Sequence, residues 1–335
     1  MEMIFVELRK VQQTPGGTFF VCLPKSWAQR HGLSRGSVVA VNESPNGRLY
    51  IDATYKTEPS PQMVVIHPTR YLGREIVGKY LLGYDIIKIE AKDRIGFEVR
   101  DTVKRTARQL IGLEIIEENH VSIVLQCLLE PSSFPPEKIL RREYAIVAGM
   151  HHNVVNALVD GDLSIAKSVL ARDDEVNRLY FLLVRVLRTV VQNPSLGVKL
   201  GVRPIECLDF RLAASLVETM GDECVRIATK TMELKGKKFS RQMAKMFLDF
   251  DTMVSKSRED ALRSFLTGDV ALAESVRDMR VKIEQTFENV EHTIKTEKVE
   301  IVAHSLAAAS ALRQIYEHSV DIADLAMPKS PEQKR

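Results

Sequence analysis

The residue types that could carry covalent or metal chemistry occur here in patterns that such chemistry does not use. Gly32-Leu33-Ser34-Arg35-Gly36 satisfies Gly-x-Ser-x-Gly literally. A nucleophile elbow follows a strand and opens a helix, whereas this segment follows a helical stretch and opens an extended one, so it reads as a turn. His151 and His152 are adjacent, so on a helix they point about 100° apart and share no metal-binding face. His31, His67, His120, His292, His304 and His318 lack zinc-like spacing and are expected at the surface or in the core. Cys22, Cys127, Cys207 and Cys224 lie far apart in apolar segments without a Cys-x-x-Cys pair, which points to reduced, buried thiols. With no Gly-rich phosphate loop and no nucleophile–base pair, the expectation is a protein that is not an enzyme.

Positive charge is unevenly placed. Residues 1–50 hold six Lys/Arg (Arg9, Lys10, Lys25, Arg30, Arg35, Arg48) against three acids (Glu2, Glu7, Glu43), which equals the net charge of +3 for all 335 residues. A whole-chain charge this mild is no nucleic-acid signature, so any basic surface is local. A second basic run, Arg100, Lys104, Arg105 and Arg108, lies along one helical face, where Glu98 and Asp101 make a solvated face the favoured reading.

The elements that must position these residues fall into three regions. In 1–55, apolar alternation in Ile4–Leu8, a turn at Pro15–Gly17 and a second extended stretch Thr18–Leu23 imply a hairpin. Pro24 opens a short helix that Gly32 stops, and Asn46-Gly47 links Val38–Val41 to Leu49–Ile51, giving β-β-α-β-β. About 55 residues of short strands bury too little apolar surface to be secure alone, so this piece calls for a second copy. After a Pro-punctuated linker, 60–132 alternates strands and helices: Met63–His67, Thr69–Tyr84, Asp85–Ala91, Phe97–Ile111, Glu114–Glu118 and Ser122–Leu129, a small α/β unit. Glu130–Glu137, with three prolines, closes it. From 136 to 328 the sequence is helical, with heptad-like apolar spacing at Val176, Leu179, Tyr180, Leu183, Val186, Leu187 and Val190. Glycines and prolines divide it into roughly six helices, and Gly161–Val169 aligns without a gap on Gly268–Val276, each copy opening at an aspartate able to cap a helix. Arg185 and Arg188 interrupt the longest apolar stretch, and the N-terminus lacks a signal-peptide pattern, so a cytoplasmic location without membrane insertion is expected.

Three segments resemble known families. Arg9–Val41, with its Leu-Pro-Lys-x-Trp-Ala and Gly-Leu-x-x-Gly pieces, resembles the swapped-hairpin module of AbrB, SpoVT and MazE proteins. That resemblance implies a homodimer exchanging hairpins to complete a small β-barrel that binds DNA, with Arg9, Lys10, Lys25, Arg30 and Arg35 as candidates to meet phosphates. The module as a pure pairing device is the alternative. Gly161–Pro194, especially Asp-Asp-Glu-Val-Asn-x-Leu-Tyr, and Leu212–Ala228 resemble helices of the archaeal-type PhoU family of phosphate uptake regulators. In that family, acidic i, i+4 pairs on two helices gather carboxylates around iron or another metal. Carried over by position, Glu218 and Asp222 match, while Asp173 pairs with Asn177 where a second carboxylate belongs. In the second half, Ser310–Ala323 aligns with the same helix, with Arg313 in place of the first acid and Glu317 in place of the second; Glu284 corresponds to Asn177. An Arg313–Glu317 ion pair is expected there instead of metal, and an Asp222–Arg226 pair is the plain alternative at the first site.

The fold expected is therefore multidomain α+β: a swapped-hairpin barrel, a small α/β unit, and mainly-α PhoU-like tandem three-helix bundles. The function expected is a DNA-binding transcriptional regulator of phosphate homeostasis whose helical region senses a divalent or iron metal ion, a ligand or a partner. The alternative is a PhoU-type regulator without a DNA role, docking on a phosphate ABC transporter or signalling kinase.

Overall fold

The computed structural model describes residues 7–43, 47–53 and 61–328, and the chain divides into two compact units, 1–61 and 62–335. In the first unit, β1 (Gln12–Gln13) and β2 (Phe19–Phe20) pair antiparallel around a turn. Gly17 there has φ 87°, in the left-handed region that glycine enters without a Cβ clash. Helix α1 (Lys25–Arg30) follows Pro24 and ends before Gly32, and β3 (Ala40–Glu43) pairs with β4 (Leu49–Asp52). The β-β-α-β-β order thus holds, although the strands are shorter than expected. Leu8 belongs to no strand; the stretch from Ile4 to Val6 and the residue Asn46 lie outside the described residues. Gly32–Gly36 is turn, as its context required.

No described side chain of this first unit is buried. Phe19 is 69% exposed and Leu49 67%. Cys22 is exposed too, which corrects the expectation that all four thiols are buried; Cys127, Cys207 and Cys224 are.

The second unit opens with a sheet of order β5-β6-β8-β7, formed by β5 (Met63–Ile66), β6 (Ile86–Glu90), β7 (Leu113–Glu118) and β8 (Ser122–Cys127). β5 and β6 are parallel because helix α2 (Leu72–Leu81) carries the chain back between them; the other pairings are antiparallel. α2 and α3 (Phe97–Arg108) contribute Ile76, Tyr80 and Val103 to a core completed by Ile87, Ile89, Ile123 and Leu125.

The helical region comprises α4 (Pro136–Asp160), α5 (Leu163–Gln192), the short α6 (Pro194–Leu200), α7 (Glu206–Glu233), α8 (Arg241–Thr267), α9 (Val270–Asp278), α10 (Arg280–Ile294) and α11 (Val299–Ala323). The repeat seen in the sequence is visible at both turns. Gly161 and Gly268 end their helices with φ 68° and 71°, and the side chains of Asp162 and Asp269 accept from the first backbone N–H groups of the next helix. Gly161 is also held by contact: a Cβ there would lie 2.9 Å from the Gly236 carbonyl oxygen.

In that register Tyr144 matches Asp251 and His151 matches Arg258. His151 Nε2 lies 3.0 Å from Asp251 Oδ1, and the Arg258 guanidinium lies 5.4 Å over the Tyr144 ring. A contact repeated with its partners exchanged is what a two-fold relation between halves produces. The sheet and the helices are fastened within the same unit by Arg185 of α5. Its guanidinium is buried and donates to the carbonyls of Tyr80 (2.7 Å), Tyr84 (2.9 Å) and Gly83 (3.3 Å) and to Asp85 Oδ1 (3.0 Å). The Tyr80 carbonyl, in the last turn of α2, also accepts from the Gly83 N–H at 3.0 Å, so Arg185 gives it a second donor. Among the described residues, no helix is long and apolar enough to cross a membrane.

Candidate cation site

The first quartet of acid and amide side chains is brought together by α5 and α7. Asp173 and Asn177 sit one turn apart on α5, beside the buried Val176; Glu218 and Asp222 sit one turn apart on α7, beside the buried Val217 and Gly221. α7 runs close to both neighbours at this level: a Cβ on Gly221 would rest 3.5 Å from Val147 of α4 and 3.6 Å from Val176 of α5. Asn177 Nδ2 donates to Asp173 Oδ2 at 3.0 Å. Asp173, Asn177 and Glu218 are half-buried, and Asp222 is exposed.

The acids feel burial and one another's charge. Burial raises the Glu218 carboxyl above its ordinary range, and the charges of Asp222 and Asp173 raise it further, against Arg211. Burial likewise raises Asp173, with Asp222 and Asp174 adding to it and Asn177 opposing, and burial raises Asp222. A fourth carboxyl that sequence reasoning missed adjoins this set. Glu143 of α4 is fully buried, neither oxygen has a hydrogen-bond partner, and burial followed by the charge of Glu218 lifts it well above the carboxylate range. Its signal was present: Glu143 falls on the α4 stripe that carries Ile139, Leu140, Ile146, Val147 and Met150, where an acid interrupts an apolar face.

The second quartet differs. Arg313 Nε donates to Glu284 Oε1 at 2.8 Å, and Arg280 holds Glu317 through two contacts of 2.9 and 3.2 Å. This corrects the expected Arg313–Glu317 pair: both arginines reach across to the facing helix instead of along their own. The expected Asp222–Arg226 pair is also absent, since Arg226 turns to Glu223 at 3.4 Å. Asp222 is thereby left without that cation.

In donor chemistry, Asp173, Glu218 and Asp222, with Asn177 and Glu143 nearby, suit a cation that prefers oxygen. Glu284 and Glu317 do not, because each is already occupied by a guanidinium. Among the described residues no group of three or more His, Cys, Asp or Glu is gathered tightly enough to hold a metal ion as it stands. The first set is therefore a group of like charges held at a distance by apolar helix packing, not a closed cage.

The basic candidates of the first unit lie on its surface: Arg9, Lys10, Lys25, Arg30 and Arg35 are all exposed, and Arg9 is paired with Glu7. On α3, Arg100 is bound to Glu118 of β7, Lys104 lies 3.6 Å from the same carboxylate and Arg105 lies 3.9 Å from Asp101. Three of its four cations thus have acidic partners, chiefly Glu118 and not the expected Glu98.

Residues 140–231, the span of α4, α5, α6 and most of α7, match the PhoU domain. Solved structures to which the chain is similar include PhoU from Pseudomonas aeruginosa, 20% identical over 57% of this chain and 93% of that chain, TM-score 0.47. Another is the phosphate transport system regulatory protein PhoU from Streptococcus pneumoniae, 16% identical over 57% of this chain and 91% of that one, TM-score 0.48. No curated protein matches the chain in sequence.

Proposed function

We propose that this chain, which carries a PhoU domain at residues 140–231, is a PhoU-type regulator of phosphate transport that works by docking on a protein partner. The observation that carries the reading is the coincidence of the matched span with the helices that hold Asp173, Asn177, Glu218, Asp222 and Glu143. The matched helices pack into one continuous apolar core with their repeat, a rigid platform on which a partner can be held. The partner class is a phosphate ABC transporter or its signalling kinase. Surface-immobilised full chain tested against the purified cytosolic subunits of both should retain at least one of them; retention of neither would overturn the reading.

A second reading concerns the first unit and rests on its lack of any buried described side chain. Apolar residues such as Phe19 and Leu49 that stay in water in a single copy favour association with another, and hairpin exchange between two copies is the arrangement that the AbrB-like pattern implies. Pairing doubles the exposed cations Lys10, Lys25, Arg30 and Arg35, which supports phosphate-backbone contact with DNA. Fluorescence anisotropy of labelled upstream DNA beside random DNA, at two salt concentrations, separates the readings. Salt-sensitive, sequence-selective binding makes the chain a transcription regulator; a dimer that ignores DNA makes the first unit a pairing device.

A further inference from the structure

We propose that the α/β part has a ligand site of its own: a cleft at the carboxyl ends of β5 and β6 that binds a sugar phosphate, free or as part of a nucleotide. This goes beyond the regulator reading and does not depend on which partner the chain docks on.

Helices α2 and α3 cover one face of the sheet, where Ile87, Ile89, Ile123 and Leu125 are buried. Side chains alternate along a strand, so Lys88 and Glu90 of β6 take the opposite face, as does Ser122 of β8, which pairs with Glu90. That face is open at this level: Val65, opposite Lys88 on β5, is 43% exposed. Because β5 and β6 are parallel, their carboxyl ends lie at the same end of the sheet, the place where open α/β sheets take ligands. A cleft of about 370 Å³ lies there, within the roughly 300–1,000 Å³ of small-molecule sites. His67, Lys88, Glu90, Lys92 and Ser122 line it.

These polar groups keep hydrogen-bonding capacity for a ligand. His67 Nδ1 lies 2.8 Å from the Glu90 carbonyl oxygen, which can only accept, so Nδ1 carries the hydrogen and Nε2 is left over. The Asn119 amide donates to Ser122 Oγ at 2.9 Å, so the hydroxyl hydrogen of this buried serine is still to be given. Lys92 has no acidic partner among the described residues, and Lys88, paired with Glu90, has three ammonium hydrogens to share.

The mixture of charges selects the ligand. Two ammonium groups, an imidazole and a hydroxyl suit a phosphate group. A bare phosphate would also meet the Glu90 carboxylate, which the bond from Lys88 holds ionised below the ordinary carboxylate range. An acid beside a phosphate site has a use when the ligand carries hydroxyl groups, because it accepts from them, as the acidic residue of dinucleotide-binding folds does from a ribose. A sugar phosphate satisfies the cations and the carboxylate together.

Calorimetric titration of the full chain with ribose 5-phosphate, AMP, inorganic phosphate and ribose tests this. At least one of the two esters should bind tenfold or more tightly than inorganic phosphate or ribose. Equal affinity for both esters would make the sugar phosphate the whole ligand, and tighter binding of AMP would make it a nucleotide. Lys92→Ala, a change at an exposed residue, should weaken ester binding about tenfold, while Arg105→Ala on α3 should leave it unchanged. Glu90→Gln, checked for a native unfolding temperature, should weaken the esters and strengthen inorganic phosphate. No binding of either ester at millimolar concentration, inorganic phosphate binding as tightly as the esters, or ester binding unchanged in both Lys92→Ala and Glu90→Gln would overturn the proposal. A chain that binds neither ester yet still retains a transporter or kinase subunit would leave the regulator reading standing.

Discussion

Glu143 shows what a single side chain can impose on a helix bundle. Its folded-state proton affinity is raised by burial and by Glu218, so the sign of its effect on stability is fixed. Below the ordinary carboxylate range it is protonated in folded and unfolded chains alike and costs nothing through ionisation. As pH rises past that range the unfolded chain releases the proton and the folded chain keeps it, so stability falls until the raised folded value is passed. Glu143→Leu should therefore stabilise the protein at neutral pH, by an amount that grows as pH rises through the ordinary carboxylate range. Urea melts at pH 7.5 and pH 5 test this: the gain should shrink at the lower pH, and a gain independent of pH would show that packing and not ionisation is responsible. His151 works in the opposite sense. Burial holds it neutral with its pKa lowered, aided by Arg258 and opposed by Asp251, so its contribution is lost as pH falls through the imidazole range. His151→Phe should flatten the stability profile between pH 7 and pH 5, as followed by thermal unfolding.

At the scale of elements, α5 is shared. Near its start it carries Asp173 and Asn177; near its end it carries Arg185, which gathers the carbonyls at the end of α2. Twelve residues of helix separate Asp173 from Arg185, about 18 Å along the axis. The helix that carries Asp173 and Asn177 is thus tied directly to the α/β part of the same compact unit. Arg185→Met keeps the length of the side chain and removes the charge and the donors to Tyr80, Gly83, Tyr84 and Asp85. It should cost about 3 kcal/mol, since hydrogen bonds to charged groups contribute ~1.5–3 kcal/mol each and do not add fully. Hydrogen exchange should speed up in α2 and β6 while α8 and α11 stay protected. Equal loss of protection everywhere would mean that Arg185 supports the whole unit and not this junction.

For the whole molecule, the first unit sets the assembly question. Its described residues form two hairpins and a short helix without a buried side chain, so its stability should depend on protein concentration. Light scattering across a hundredfold dilution should show a dimer separating into monomers in Phe19→Ser with Leu49→Ser but not in the parent; a monomeric parent would end the pairing reading. Neutralising Lys10, Lys25, Arg30 and Arg35 should leave the dimer intact and reduce the salt slope of any DNA binding in proportion to the number of phosphates no longer neutralised. An unchanged slope would remove these residues from the interface.

Element order, the helical caps at Asp162 and Asp269, the strand–helix alternation of the α/β part and the one-turn spacings of Asp173 with Asn177 and of Glu218 with Asp222 were all legible in the chain before it folds. These depend on local periodicity, turn chemistry and i, i+4 spacing, which a chain carries with it wherever it folds. Three things waited for the helices and sheet to pack. Arg313 chose Glu284 over Glu317 because a facing helix offered a better-placed carboxylate than its own. Glu143 joined the acids because α4 packs against α7, and a single acid on an apolar stripe does not say which helix it will meet. Arg185 interrupts an apolar run in sequence, and its worth depends on carbonyls about a hundred residues earlier that the fold alone brings within 3 Å. Contacts between distant segments follow from how whole faces pack, and that is information no window of sequence contains.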